Sequence, residues 1–336
     1  MCRRISHFQR GTSVRILRVH NRYVQPGGED VSLQREVDVL RRREHCVEVL
    51  EFSNESISRR PSLSSAAGLA LTTVWSERAR VNIRATVSAF QPDLVHFDNT
   101  FPLVSPAAYG ACKQEGVAVV QTLHNYRLLC PSATFYRDGR TCEDCLGKTP
   151  PLPGVVHACY HGSHAQTAVV AAMLTTHRLR RTWSNDVDRY IALTEFAKGK
   201  FVEGGLPEHL LVVKPNFVSE PQISESLKYD EFLFVGRLVP EKGVSTLIAA
   251  AHKFPTDLSL HIAGDGPLMQ FVQEAGAAVS NLVCLGRLDS DAVAAKMSSS
   301  VALIFPSEWY EGFPMTIVEA YSRGLPVIAS NLGSMA

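Results

Sequence analysis

At 336 residues with 45% apolar side chains, the chain is long enough for two domains of ordinary size with real cores. Its 34 basic and 33 acidic residues leave a formal charge of +1, which excludes the basic footprint of a nucleic-acid binder and any strongly acidic tail. No run reaches the roughly 20 apolar residues of a membrane span: AQTAVVAAMLTT is too short, and the charged start MCRRISHFQRGTS lacks an apolar secretion core.

The expected compartment is therefore the cytoplasm, where the eight cysteines read as reduced thiols. The basic runs Arg41 to Arg43 and Arg178 to Arg181 read either as solvated helix faces or as a surface for anionic lipid headgroups at the inner membrane face.

Residues 1–12 read as a disordered extension. SVRILRVH (13–20) reads as a buried strand, and NRYVQPGGED as a glycine-containing loop. Leu33, Val37 and Leu40 then recur at helical spacing, with Glu29 and Asp30 placed where a helix N-terminus favours acids. CVEVLEF is a second strand, followed by a long helical region over about 66–90. DLVHF and VAVVQTLH are strands separated by the helical SPAAYGACKQEG, and RYIALT is a strand followed by a helix over about 195–203. This alternation predicts a parallel sheet covered on both faces.

KPNFVSEPQISESLKYD breaks the periodicity and predicts a linker over 217–228 between a first domain (13–216) and a second (229–336). The pattern then restarts: strand EFLFVGR, helix GVSTLIAAAHKF, strand LSLHIAG, turn DGP, helix LMQFVQEAGAA, strand LVCLG, helix SDAVAAKMSSS, strand VALIFPS. Two tandem doubly wound α/β domains facing across a cleft are expected, with ligands beyond the carboxyl ends of the strands. Gly-x-Gly-x-x-Gly does not follow the first strand and there is no P-loop, so a dehydrogenase or P-loop NTPase gains no support.

In FVGRLVPEKGV, Arg237 and Lys242 stand beyond a strand, where a guanidinium and a compact ammonium suit a diphosphate; ordinary surface charges are the alternative. In PSEWYEGFPMTIVEA, Pro314 fits the first turn of a helix that Gly324 ends, so the amides of Gly312, Phe313 and Met315 would form an anion site. Glu311 and Glu319 would repel phosphate, and are read as hydrogen-bonding neutral hydroxyls. A diphosphate flanked by two polyols is a sugar nucleotide; solvated helix acids are the alternative.

GRLVPEKGV, AGDGP, LGRL and PSEWYEGFPMTIVEA, in this order, resemble the retaining glycosyltransferases of family 4, with their GT-B architecture of two Rossmann-like domains. VHNRYVQPGGED is similar to the family's acceptor-side glycine loop, and TLHNYRLLCPSATFYRDGRTCEDCLG to a bacterial subgroup acting in surface-polysaccharide assembly. The resemblance implies that Arg237 and Lys242 hold the donor diphosphate, Glu311 the donor sugar and Glu319 the ribose hydroxyls. It implies that Gly27 and Gly28 allow close backbone approach, and that His124 reaches the donor sugar or reacting centre, a satisfied core histidine being the alternative. It further implies a UDP- or GDP-linked donor, no catalytic metal, and a carbohydrate or lipid-linked glycan as acceptor. Family members usually continue well past Ala336, so the second domain is expected to be incomplete, and the rival to an active enzyme is a truncated fragment that binds nucleotide or a partner without turnover.

Cys130, Cys142, Cys145 and Cys159 lie in a stretch over about 130–160 that reads as an insertion in the first domain, and Cys142-Glu-Asp-Cys145 has the spacing of a zinc knuckle. Structural zinc, plain thiols and disulfides all remain open there.

Overall fold

The computed structural model describes residues 13–24, 27–57, 62–218, 230–255 and 257–336. The expected extension 1–12 and most of the expected linker lie outside the described residues. The chain divides into two compact units. The first holds the residues up to Ala133 together with Glu143–Pro215, and the second holds Thr134–Cys142 with Asn216–Ala336.

The first unit is built on a fully parallel sheet of β1 (Arg15–Arg22), β2 (Cys46–Ser53), β3 (Leu94–Phe97), β4 (Ala118–Leu123), β7 (Arg189–Ala192) and β8 (Leu211–Val213). Between β4 and β7 the chain makes a short antiparallel hairpin, β5 (Tyr136–Arg137) and β6 (Arg140–Thr141), which belongs to the second unit. The stretch 130–160, expected to lie wholly in the first domain, is thus shared between the units. Strand order in the large sheet is β2-β1-β3-β4-β7-β8. β1 is buried over six successive residues, as a central strand covered on both faces must be.

The covering helices are α1 (Gly28–Arg42), α2 (Leu63–Val74), α3 (Glu77–Phe90), α4 (Ala107–Gln114), α5 (Leu152–Val156), α6 (His164–Leu179), α7 (Thr182–Asn185) and α8 (Glu195–Glu203). The helical region expected as one piece over 66–90 is two helices. Ser76 Oγ accepts a hydrogen bond from the Ala79 amide and starts α3 afresh, which is what a serine N-cap does.

The second unit carries the parallel sheet β11-β10-β9-β12-β13, from β9 (Glu231–Val235), β10 (Ser259–Ala263), β11 (Leu282–Gly286), β12 (Ala302–Phe305) and β13 (Val327–Ala329). Its helices are α9 (Val244–Ala251), α10 (Met269–Ala278), α11 (Ser290–Ser299) and α12 (Met315–Tyr321). On one side Phe234, Leu247, Leu260, Ile262 and Val272 form a buried cluster, and on the other Leu233, Met297, Leu303, Ile317 and Ala320 form a second. Successive residues of β9 (Leu233, Phe234) supply opposite clusters, the period-2 consequence of a strand buried on both faces. No helix among the described residues is long and apolar enough to cross a membrane.

Candidate functional site

The strand orders locate the candidate sites. In the second unit β9, β10 and β11 step one way across the sheet, while β12 and β13 step the other. The order therefore reverses between β9 and β12, and the loops leaving their carboxyl ends diverge to leave a crevice. Arg237 lies two residues beyond β9, Lys242 seven residues beyond it, and Glu311 six residues beyond β12.

The two loops are joined tightly. Lys242 Nζ donates to Glu311 Oε1 at 2.7 Å, and Ser307 Oγ donates to the same oxygen at 2.6 Å. The ammonium also sits 5.2 Å from the Phe305 ring centre and 5.5 Å from that of Trp309, within reach of both ring faces. The Glu308 amide donates to the Glu241 carbonyl at 2.9 Å, and Thr246 Oγ1 donates to Glu308 Oε1 at 2.7 Å. Gly243 adopts φ +69°, and a Cβ there would stand 2.0 Å from the Pro306 carbonyl oxygen, so only glycine permits this approach of the loops. The Tyr136 hydroxyl of the hairpin donates to Glu308 Oε2 at 3.4 Å, and Phe135 meets the Tyr310 ring edge-on at 6.2 Å.

Glu311, read from the sequence as a partner for neutral hydroxyls, is buried, with Lys242 and Ser307 both donating to its Oε1. The cation cancels the repulsion that a bare carboxylate would exert on a nearby anion. The Arg237 side chain is 65% exposed, with Glu241 at 3.9 Å. Gly312 and Phe313 are half-buried, Pro314 caps α12, and Gly324 follows its end at φ +65°. Glu319 is half-buried within α12, and its carbonyl accepts from Ser322 Oγ at 2.8 Å and Arg323 Nη1 at 3.1 Å.

In the first unit the order reverses between β1 and β3. Gly27 caps α1 after β1; its amide donates to Asp30 Oδ2 at 2.7 Å, and among the described residues nothing lies within 4 Å of where its Cβ would be. Gly28, the first residue of α1, is exposed. His124 follows β4, and its Nε2 lies 3.3 Å from Asp98 Oδ1. Asp98 is gripped by both ends of the buried Arg18 fork, from Nη2 at 2.6 Å and Nε at 3.0 Å. Arg18 Nη1 donates to Glu36 at 2.8 Å, and Lys214 pairs with the other oxygen of Glu36.

Burial opposes ionisation throughout this cluster, but the charges win in two places. Burial would raise the Asp98 pKa, yet Arg18 and the His124 hydrogen bond hold it well below the carboxylate range. Burial would depress His124, yet Asp98, Glu29 and Glu36 raise it above its ordinary value. At His96 burial and Arg18 outweigh Asp98 and Glu36 and push it down to about 3, so it is neutral, with Nε2 2.8 Å from Thr122 Oγ1.

Glu36, His96 and Asp98 bring ligating atoms within 4.8 Å of one another, the one such group of three among the described residues. The Arg18 guanidinium already bonds both carboxylates there, in the place of a cation. Of the cysteines left open between zinc, thiols and disulfides, no three of Cys130, Cys142, Cys145 and Cys159 bring their sulfurs within 4.8 Å of one another among the described residues. Cys130 Sγ lies 3.1 Å from Ser132 Oγ, and Cys145 Sγ accepts from the Gly154 amide at 3.1 Å.

Ser307, Trp309 and Thr246 in the second unit, and Arg18, Asp98 and Glu36 in the first, are site residues that sequence reasoning missed. A charged residue inside the apolar strand RILRVH was the available signal for Arg18. A buried guanidinium requires carboxylate partners.

Comparison with known proteins agrees with the architecture. A family model described as Glycosyltransferase Family 4 matches residues 26–220, and one described as Glycosyl transferases group 1 matches residues 218–336. A phosphatidyl-myo-inositol mannosyltransferase of Mycobacterium leprae is 27% identical over 193 residues, covering 53% of this chain and 50% of the relative. The chain thus spans about half the length of that curated relative. Among solved structures, the apo lipopolysaccharide outer core galactosyltransferase WaaB matches 95% of this chain and 81% of its own, at a TM-score of 0.62 and 19% identity. Anabaena HepE, solved with UDP-glucose, matches 96% and 82%, at a TM-score of 0.61 and 17% identity. These two likenesses support the fold, and the model covering more than half of the chain supports the lineage: the protein belongs to glycosyltransferase family 4.

Proposed function

We infer that the chain transfers a sugar from a nucleotide-diphosphate donor to a hydroxyl acceptor, with retention of anomeric configuration, in polysaccharide or glycolipid assembly. The observation that carries this reading is the buried Lys242–Glu311 contact at 2.7 Å, set where the second sheet reverses its strand order and next to the exposed Arg237. A diphosphate needs concentrated positive charge as it leaves; the exposed Arg237 supplies most of it, and Lys242 keeps Glu311 from opposing it. The donor's hydroxyls need acceptors beside that charge, and Glu311 and Glu319 supply them. A carboxylate next to a diphosphate is tolerable only when neutralised, which is what Lys242 does for Glu311.

Gly27 and Gly28 offer backbone to the phosphates or acceptor, and the Asp98-held His124 serves the reacting centre. The Mycobacterium leprae relative is named for a lipid-linked acceptor and HepE was solved with UDP-glucose. They support a carbohydrate or lipid-linked glycan acceptor and make UDP the first nucleotide to try, with GDP next; a peripheral meeting at the inner membrane face rests only on the basic runs Arg41 to Arg43 and Arg178 to Arg181.

The test is thermal stabilisation by UDP, GDP and ADP of the wild type and of the Arg237→Ala/Lys242→Ala double variant. A ligand at 100 times its Kd stabilises by about 2.7 kcal/mol. One nucleotide should raise the wild-type melting temperature and leave the double variant unchanged. No shift from any of them, in a protein that melts cooperatively, would overturn the reading. Nucleoside diphosphate release with added acceptor then separates turnover from binding alone.

A further inference from the structure

A second polar site lies in the first unit, among residues that play no part in the chemistry above. A cavity of about 470 Å³ is bounded by Trp75, Arg80, Gly110, Lys113, Arg180 and Asp186. That volume lies in the range of small-molecule pockets.

Its wall is rigid. Trp75 sits at the junction of α2 and α3, where its amide donates to the Leu71 carbonyl at 2.7 Å and the next amide, of Ser76, to Ser105 Oγ at 2.9 Å. The buried His177 lies parallel to the Trp75 ring and is itself fixed, with Nε2 2.8 Å from the Val74 carbonyl and Nδ1 3.0 Å from Thr182 Oγ1.

Of the three cations lining the cavity, Arg180 is the one without an ion pair among the described residues. Arg80 and Arg180 place their guanidinium carbons 5.4 and 4.7 Å from the Trp75 ring centre. Arg80 Nη1 pairs with Glu77 Oε2 at 2.5 Å, leaving its buried Nε without a hydrogen-bond partner, whereas among the described residues Arg180 has no carboxylate at ion-pair distance. Lys113 is held by Asp188 at 2.8 Å. Asp186 is the one acid lining the cavity, and burial pushes its carboxyl upward against the opposing charges of Lys113 and Arg180. Gly110 leaves room for it: a Cβ there would already touch Asp186 Oδ2 at 3.5 Å.

We propose that this cavity binds a phosphate-bearing ligand, a phosphate ester or diphosphate, through Arg80 and Arg180 with Trp75 as its floor. A guanidinium fork matches the geometry of phosphate oxygens; Arg180 brings one without an ion pair among the described residues, and Arg80 adds its unpartnered Nε. The same chemistry is offered by a soluble phosphorylated compound and by a lipid headgroup.

The test is titration of the full chain with inorganic pyrophosphate at low ionic strength, read by calorimetry and by Trp75 fluorescence in a Trp183→Phe/Trp309→Phe background. Saturable binding is expected, weakened about tenfold or more by Arg180→Glu, since a charge-assisted hydrogen bond contributes about 1.5–3 kcal/mol. Arg180 is exposed, so this variant keeps the fold, and Arg80→Gln repeats the test from the other side. Arg237→Ala/Lys242→Ala should leave this binding intact, separating the cavity from the donor motif. Sedimentation with phosphatidylglycerol vesicles that Arg180→Glu abolishes would assign a headgroup; pyrophosphate binding without sedimentation would assign a soluble ligand. Absence of saturable binding, or binding lost in the donor-motif variant and kept in Arg180→Glu, would overturn the proposal.

Discussion

Lys242 Nζ and Glu311 Oε1 meet at 2.7 Å with side chains only 15% and 7% exposed, one from the loop after β9 and the other from the loop after β12. The pair therefore fastens together the two loops that the reversal of strand order drives apart. It also fixes both ends of the charge arrangement that the donor is expected to meet.

Removing one partner should cost more than removing both. Glu311→Ala leaves Lys242 buried without its counter-charge, a loss of about 3–5 kcal/mol for a broken buried pair. Lys242→Met/Glu311→Leu should be much less destabilised than the sum of its single variants. Urea unfolding followed by Trp309 fluorescence, as a double-mutant cycle, measures the difference. Additive losses would show that the contact is not coupled.

Two glycines with similar backbone angles should respond very differently to alanine. At Gly324, φ is +65° with nothing within 4 Å of the new Cβ, so the cost is the left-handed penalty of about 1–2 kcal/mol. At Gly243, φ is +69°, and the Cβ would stand 2.0 Å from the Pro306 carbonyl oxygen. Gly243→Ala should therefore lower the melting temperature well beyond Gly324→Ala, and also weaken nucleotide binding by displacing Lys242.

The first unit should lose stability in mild acid. His96 is held neutral down to about pH 3, while in the unfolded chain it takes a proton near pH 6.5. Between those values the unfolded state binds more protons, so stability falls as pH falls through that window. Asp98, whose folded pKa is depressed, adds to the loss as pH drops below the ordinary carboxylate range, whereas the raised His124 acts in the opposite sense, favouring the fold at lower pH. His96→Gln should flatten the urea midpoint between pH 6.5 and 4.5, read from Trp75 and Trp183 in a Trp309→Phe background. An unchanged slope would reject the assignment.

The hairpin is held by packing more than by its hydrogen bond. Phe135 is fully buried, and Phe135→Ala should cost the second unit about 3–5 kcal/mol. Tyr136→Phe removes only a 3.4 Å contact to Glu308 and should change stability by less than about 0.5 kcal/mol. Chemical denaturation of both variants checks the ranking.

Local pattern made most of the elements legible. Leu33 and Val37 lie on the buried face of α1 as their spacing predicts, and β9, β10 and β11 fall where apolar runs end in glycine. Arg237, Lys242 and Glu311 were recognisable because each follows a strand. Their mutual arrangement was not, because it depends on β9 and β12 being neighbours although β10 and β11 intervene in sequence. The partner of Arg18 was hidden for the same reason. Arg18 lies in register with His96 across β1 and β3, which brings Asp98 within reach over 80 residues of chain. The break at Ser76 was readable, since serine followed by an acid is a helix start, but the apolar period continues across it and masks the cap.

The hairpin Thr134–Cys142 also sets an order of events in time. Its Phe135–Tyr310 contact spans 175 residues of chain, so during synthesis the hairpin is made long before the surface it rests on. At about 5–20 residues per second, Phe135 waits on the order of ten seconds or more for Tyr310. The first unit can complete its sheet at Leu211–Val213 within that interval. Nascent chain is therefore expected to carry a finished first sheet with an undocked apolar loop, a species that chaperones and proteases meet before the second sheet exists.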